Sequence, residues 1–541
     1  MIPRARRTNF VFARFGPEYL PAPRGLSSAR PSRRPCPPLS PRFHLRHLRR
    51  RLTALRSPGS VGKPGGGTRQ GFTGRYSRLR DHRKRKIVST LDNPQAPPPQ
   101  SPHTALTCDV LVIGGGPAGA TAAALLAGRG YRVTVLEKDR HPRFHIGESL
   151  LPANLPLFER LGVMDEVRRI GMQKWAAEFV SPWHDTQQKF EFADAWDKSM
   201  PFAYQVRRSE FDEILIRNAG RKGANVIEGC RARAVDFLPR DGGAVIAAEH
   251  DDGRAESWHA RFVVDASGRG TFLGNRFKFK HRNPRHNSAA MYGHFTGAQR
   301  LAGKDAGNIT VFWFDHGWFW YIPLADGATS IGAVSWPAYM NSRGKRSVEQ
   351  FFRDTIALCP RLAARLEHAM LVSEVEATGN FSYECERSHG DGYLLLGDAY
   401  AFIDPIFSSG VMLAMNSAFA GADAIDACLA RPAESAAALA RFDRVMKLGP
   451  KEFSWFIYRV TNPAMRDLFM GPSNVLRVKE ALLSVLAGDI FGNTPIRRSL
   501  LIFKAIYYVV SLANLKRSLA AWRRRRSNMR RVDAPETAAS R

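Results

Sequence analysis

Three glycines and one acid at fixed spacing carry the first recognisable chemistry in this chain. Gly114, Gly116 and Gly119 form a GxGxxG run directly after the apolar stretch 109–113. A stretch of that kind suits a buried parallel strand. The first glycine permits a tight turn, the second lets backbone approach a pyrophosphate, and the third allows close helix–strand packing. Ala118, Ala120 and the alanines at 122–124 then open a helix whose N-terminus can hold phosphate charge. Residues 133–136 read as the next strand, and Glu137, followed by Lys138, stands at its end to accept ribose hydroxyls. An acid there suits a free 2′-hydroxyl, as in FAD or NAD rather than NADP. A lone GxGxxG is weak; strand, glycines, helix, strand and acid in register form a specific signal.

The elements that must position this site continue downstream. Residues 261–270, RFVVDASGRG, predict a strand ending at Asp265. Residues 391–399, DGYLLLGDA, predict another that runs into Gly397 and Asp398. Alone, each is an ordinary strand and turn. In this order and spacing they resemble FAD proteins of the p-hydroxybenzoate hydroxylase fold. That resemblance selects FAD, assigns Asp265 to the cofactor site and puts Asp398 at the ribityl chain. It also puts Arg208, in YQVRRSEFD, near the flavin. The implied fold class is α/β: a Rossmann-like three-layer FAD domain with an inserted β-sheet substrate region and a helical C-terminal part. A second GxGxxG is absent, so no nicotinamide domain is visible.

Three further segments narrow the resemblance. HGWFWYIPL holds Trp318 and Trp320 in a WxWxIP pattern, and AFIDPIFSSG holds Phe402, Pro405, Ser408 and Gly410 in FxxPxxSxG. GMQKWAAEFV holds Lys174, downstream of FHIGESLLP with Gly147, Glu148 and Ser149. Read from the residues alone, the tryptophans are one packed face of a strand and the serines a turn before a helix. The lysine, beside Trp175, Ala176 and Ala177, would lose its proton more readily than a solvated one. Together the segments resemble the flavin-dependent halogenases of the tryptophan halogenase superfamily, over roughly residues 107–430.

The resemblance implies roles for these residues. Gly147, Glu148 and Ser149 belong to the flavin loop, and Trp318 and Trp320 keep substrate away from the flavin. Phe402, Pro405 and Ser408 line a passage, Ser409 and Gly410 contact halide, and Lys174 handles hypohalous acid. The implied reaction runs from reduced FAD and O₂ through a C4a-hydroperoxide, which chloride or bromide attacks, to halogenation of an aromatic ring. The implied partners are a separate flavin reductase, a halide ion and an aromatic substrate, free or on an acyl or peptidyl carrier. Tryptophan halogenases place a Glu where this chain has Phe407, a departure that resembles halogenases of phenols and pyrroles. The rival is a same-fold hydroxylase or polyprenyl reductase, which would turn over without incorporating halide.

Length and charge bound the rest. The chain has 541 residues with 44% hydrophobic content and a net charge of +31, which is globular in composition apart from its basicity. That charge is concentrated at the ends. Residues 1–100 carry 23 Lys/Arg against three acids and 15 of the 34 prolines, whereas residues 101–515 carry 48 against 44. Residues 1–104 are therefore expected to be a disordered basic extension. A nucleic-acid arm, a transit peptide and a gene start assigned too far upstream are its three readings; the last is favoured, so no specific nucleic acid is expected. The division expected after it is a FAD domain over 105–430, a helical region over 431–515 and a basic tail over 516–541. Six scattered cysteines without CxxC argue against a metal site and for a reducing, cytoplasmic setting. The apolar run 499–515, followed by eight basic residues over 516–531, predicts either a core helix with a solvated tail or a helix lying on an anionic membrane.

Overall fold

The strand Leu106–Ile113 is the centre of the molecule, and Val110, Leu111 and Val112 in it have no exposed surface. Only a strand covered on both faces buries every consecutive side chain in this way. It pairs in parallel with Val133–Glu137 on one side and with Ala255–Asp265 on the other. Asn225–Glu228 and Tyr393–Leu395 extend the parallel set outward at its two edges. The register sets Ile113 opposite both Leu136 and Asp265, and Asp265 opposite Leu395. The strands therefore end together, and their following turns open into one crevice, where open α/β sheets bind ligands.

The structure is a computed structural model that describes residues 106–239, 242–379 and 382–530. The expected N-terminal extension, 1–104, lies outside the described residues. Those described all belong to one compact unit. The helix Pro117–Ala127 lies on the parallel sheet between the helices Arg208–Arg221 and Gly410–Ala430. Its N-terminus is set by Pro117, which has no N–H to satisfy there. The fold class is the expected α/β one.

A second, mostly antiparallel sheet is the inserted region. Its order runs through Met370–Leu371, Ala289–Thr296, Thr329–Ser335, Gly317–Pro323, Ile309–Phe314, Ala176–Val180 and Gln187–Glu191. The short strand Met172–Lys174 stands apart from it and pairs with Ala203–Gln205, Lys174 facing Ala203.

Helices Pro432–Ile457, Pro463–Met470, Val478–Ala487 and Arg497–Ala513 pack their apolar faces on this second sheet, in one core with Trp313, Trp318 and Phe407. Two details differ from the expectation. The apolar run 499–515 is broken, because the helix ends at Ala513 and the chain bends by 100°. The described residues of the expected basic tail belong to a helix, Leu515–Arg530. Its alternation of Leu, Ala and Arg, free of Gly and Pro, has ample helix propensity.

Candidate active site

The turns at the strand ends enclose a cavity of about 840 Å³, a size that holds a large cofactor. Gly114 has φ +104°, and a Cβ there would lie 2.4 Å from Ala266 O. A Cβ on Gly119 would lie 1.9 Å from Gly114 O, so this glycine lets the helix seat against the strand. Gly116 differs, because a Cβ there meets only Arg143 Nη2, at 3.7 Å. That open space, in front of unpaired helix N–H groups, is what a pyrophosphate fills. Arg143 adds positive charge, and its buried Nε has no hydrogen-bond partner among the described residues. Motif reading missed Arg143, the second of two arginines that follow Lys138 within five residues.

Glu137 and Lys138 line the cavity where the second strand ends. Glu137 accepts from Gly115 N at 2.6 Å and from Asp139 N at 3.0 Å, which fixes its carboxylate at the cavity wall. Ala118, Gly397 and Asp398 line the same space. Burial raises the Asp398 carboxyl to about 6, against the opposing pull of Arg208 and Arg269. Asp265 does not line the cavity. Its carboxylate instead accepts from Ser267 N at 3.0 Å and Leu273 N at 2.7 Å, tying the turn whose Ala266 and Ser267 face the cofactor space. These residues fit a dinucleotide with a free 2′-hydroxyl.

Gly147, Glu148 and Ser149 form the loop across the cavity mouth. Gly147 adopts φ +108°, and Arg208 reaches behind it to donate from Nη1 to Ile146 O at 3.0 Å. Arg208 grips Asp212 with two further bonds of 2.8 and 2.9 Å. Burial alone would raise the Asp212 carboxyl, but the Arg208 guanidinium outweighs it and holds it below the usual range. Glu148 is buried against His294, whose Nε2 lies 2.9 Å from Oε1.

Lys174 is 1% exposed. Its Nζ donates to Ser149 Oγ at 2.9 Å and to Leu150 O at 2.5 Å, and lies 5.3 Å from the centre of the Phe192 ring. Burial pushes the amine down to about 7. It lines a separate chamber of about 20 Å³ with Phe179, Phe192, Phe407 and Leu486. Ile309 and Ser408 line both this chamber and the cofactor cavity, so they form the wall between them.

The family comparisons agree with this geometry. The tryptophan halogenase family profile matches residues 109–196 and 191–462. A tryptophan 2-halogenase of Chondromyces crocatus is 34% identical over 62% of this chain and 64% of its own. A 1H-pyrrole-2-carbonyl-[peptidyl-carrier protein] chlorinase of Pseudomonas fluorescens is 31% identical over 71% of this chain and 90% of its own. Among solved structures, the myxobacterial chondrochloren halogenase, a variant of FAD-dependent halogenases, is 32% identical. It covers 75% of this chain and 97% of its own, with a TM-score of 0.63. The chain belongs to the tryptophan halogenase family. The alignment spans just under two thirds of the Chondromyces relative but nearly all of the Pseudomonas chlorinase.

The chondrochloren halogenase is named as FAD-dependent, and the cavity described above fits that cofactor. Trp318 and Trp320 lie on the strand Gly317–Pro323 with ring centres 6.1 Å apart, and both line the cavity. Trp320 lies flat across its neighbour strand because that strand offers Gly332, where a Cβ would stand 2.1 Å from the indole. Phe402, Pro405 and Ser408 line the cavity on the other side. Ser408 has φ +54°, which turns the chain sharply into the 21-residue helix Gly410–Ala430. Ser409 is its N-cap but makes no side-chain cap bond, and a Cβ on Gly410 would meet nothing. Two orphan N–H groups and a helix dipole thus face open space, an arrangement suited to an anion.

Motif reading also missed the brace behind this turn. Asp404 Oδ1 accepts from Ile406 N at 3.1 Å, while Oδ2 meets His286 Nε2 at 2.8 Å and Ser288 Oγ at 3.0 Å. His286 and Ser288 lie more than a hundred positions away, so no local pattern marks them.

Proposed function

We propose that this enzyme installs chlorine or bromine on an electron-rich aromatic ring, a phenol or a pyrrole, through hypohalous acid handled by Lys174. The observation that carries the reading is the buried Lys174 amine, in an apolar chamber that shares Ile309 and Ser408 with the cofactor cavity. FAD, when bound and reduced, supplies the oxygen chemistry that converts halide to hypohalous acid. The residues of this chain do the rest. The N–H groups at Ser409 and Gly410 hold the halide, and Trp318 and Trp320 screen the substrate ring from the flavin. Lys174, neutral above about 7, hydrogen-bonds the hypohalous acid or carries its halogen to the ring. Phe407 supplies no carboxylate to assist a poorly activated indole, which favours rings that donate electrons themselves. The Pseudomonas relative, named for a pyrrole on a carrier protein, supports a carrier-tethered substrate beside a free one. A separate flavin reductase supplies reduced flavin.

The test is reduced-flavin turnover with halide and a phenolic or pyrrolic substrate, products read by mass. Lys174→Ala is expected to keep FAD binding and oxygen-dependent flavin reoxidation and to lose aryl halogenation by about 10² or more. Lys174→Arg is expected to fail as well, because a guanidinium stays protonated. Full halogenation by the Ala variant would overturn the mechanism. Turnover of the wild type without halide incorporation would install the same-fold hydroxylase or reductase in its place.

A further inference from the structure

The helix Arg497–Ala513 is apolar on two opposite faces. Leu500, Phe503 and Tyr507 are buried against the body. Opposite them, Leu501, Tyr508, Val509 and Leu512 are 65, 53, 68 and 70% exposed. At 3.6 residues per turn these four share one outward stripe, where a helix of a water-soluble domain carries polar side chains. Beyond the 100° bend, Leu515, Leu519 and Trp522 repeat the pattern at i, i+4 and i+7, again outward. The inward side of that second helix is anchored: Ser518 is buried, and Arg525 donates to Arg285 O at 2.9 Å. Val475 and Leu476, each 64% exposed, adjoin the start of the first helix, where Ser499 Oγ donates to Leu476 O. Nine of the 17 large apolar side chains exposed among the described residues therefore gather between 475 and 522. Single exposed apolar residues need no explanation, but a gathered set marks a contact surface.

The charges around this elbow say what covers it. Arg497, Arg498, Lys516, Arg523 and Arg526 are exposed, and none forms an ion pair among the described residues. The nearby acids are already engaged, Asp467 with Arg517 at 3.4 Å and Glu452 with Lys504 at 3.2 Å. A second copy of the chain would oppose like charges across this face. No single helix among the described residues is long and apolar enough to cross a membrane. The two helices of the elbow are together long and apolar enough, but they meet at 100°. A surface that is apolar in its centre, cationic at its margins and bent in this way matches an interfacial helix pair.

We propose that the elbow formed by Arg497–Ala513 and Leu515–Arg530 docks on the surface of an anionic lipid bilayer. Leu501, Val509, Leu512, Leu519 and Trp522 enter the acyl boundary, and the unpaired arginines meet the headgroups. This inference stands independently of the halogenation reading.

The experiment is co-sedimentation of the full-length protein with vesicles of phosphatidylcholine alone or with one quarter phosphatidylglycerol. The basic first hundred residues add their own attraction, so the comparison is between full-length variants. Val509→Ser/Leu512→Ser/Leu519→Ser and Arg523→Gln/Arg526→Gln change only exposed side chains, and circular dichroism confirms that each stays folded. The wild type is expected to bind the phosphatidylglycerol vesicles, and each variant to bind roughly ten-fold or more weakly. Tryptophan fluorescence is expected to be quenched by brominated lipid, and Trp522→Phe to remove much of that quenching. Vesicle binding equal to wild type in both variants would overturn the proposal and assign adsorption to the N-terminal residues. A wild-type dimer in light scattering that the serine variant dissolves, without vesicle binding, would overturn it in favour of a second copy.

Discussion

Lys174 and Ser149 join the two compartments of this enzyme: the Nζ–Oγ hydrogen bond is 2.9 Å long, with Lys174 in the chamber and Ser149 at the cofactor cavity wall. Because the hydroxyl sits next to Glu148 in the loop that lines the cavity, any shift of that loop alters what the amine touches. The lysine donates its protons to Ser149 and Leu150, so a neutral amine keeps its lone pair for a third partner.

A pH dependence follows from the burial of that amine. Desolvation lowers Lys174 to about 7, so it is charged below this value and neutral above it. If the neutral amine acts, single-turnover halogenation rises about ten-fold per pH unit below 7 and levels off above. Flavin reoxidation measured in parallel is expected not to follow this limb. A halogenation rate constant from pH 5.5 to 8 would contradict the role of the neutral amine.

Two neighbouring glycines are expected to fail differently. A Cβ on Gly119 collides with Gly114 O at 1.9 Å, so Gly119→Ala destabilises the fold itself, by about 1–3 kcal/mol. Gly116 faces open space, so Gly116→Val leaves the melting temperature of the flavin-free protein nearly unchanged and removes FAD binding. Calorimetry of the flavin-free protein and flavin absorbance separate the two effects.

The brace at Asp404 predicts a halide defect without a flavin defect. Asp404→Ala removes the acceptor for Ile406 N–H and leaves His286 and Ser288 without their shared partner. His286 and Ser288 keep each other at 3.2 Å, so the main loss is the acceptor of the buried Ile406 N–H, about 1–3 kcal/mol. The halide KM is expected to rise several-fold while FAD affinity stays within about two-fold, measured by steady-state kinetics and flavin titration. Asp404→Asn keeps an amide carbonyl oxygen to accept from Ile406 N–H and is expected to recover part of the loss.

The chamber beside Lys174 has room for about one water molecule, at roughly 20 Å³. An aromatic ring enters only when a wall moves, and Leu486, on the helix Val478–Ala487, is one such wall. Leu486→Ala is expected to raise kcat/KM for bulky phenols relative to small ones by several-fold. The same change costs about 2–5 kcal/mol of stability. Competition between two ring sizes, read by product mass, gives the ratio; an unchanged ratio would place the entrance elsewhere.

The order of the motifs along the chain was enough to determine the α/β fold, the dinucleotide site and the family resemblance. Gly114, Gly116, Gly119 and Glu137 act within one strand–turn–helix–strand unit, where backbone geometry depends on immediate neighbours. The same local reach makes the WxWxIP segment legible as a packed strand and residues 405–410 as a turn before a helix. The role of Asp265 was not legible, because a carboxylate at a strand end serves a ligand or a turn with equal ease. Only the position of Leu273 N, 2.7 Å away, decides between them. Arg143, the His286–Asp404 brace and the chamber wall at Leu486 depend on segments tens to hundreds of positions apart. The break after Ala513, which turns a long apolar run into an outward-facing elbow, depends on what the body already buries. Local pattern specifies which atoms a segment carries; desolvation, pairing and exposure are properties of its neighbours in space, and only the packed fold supplies those.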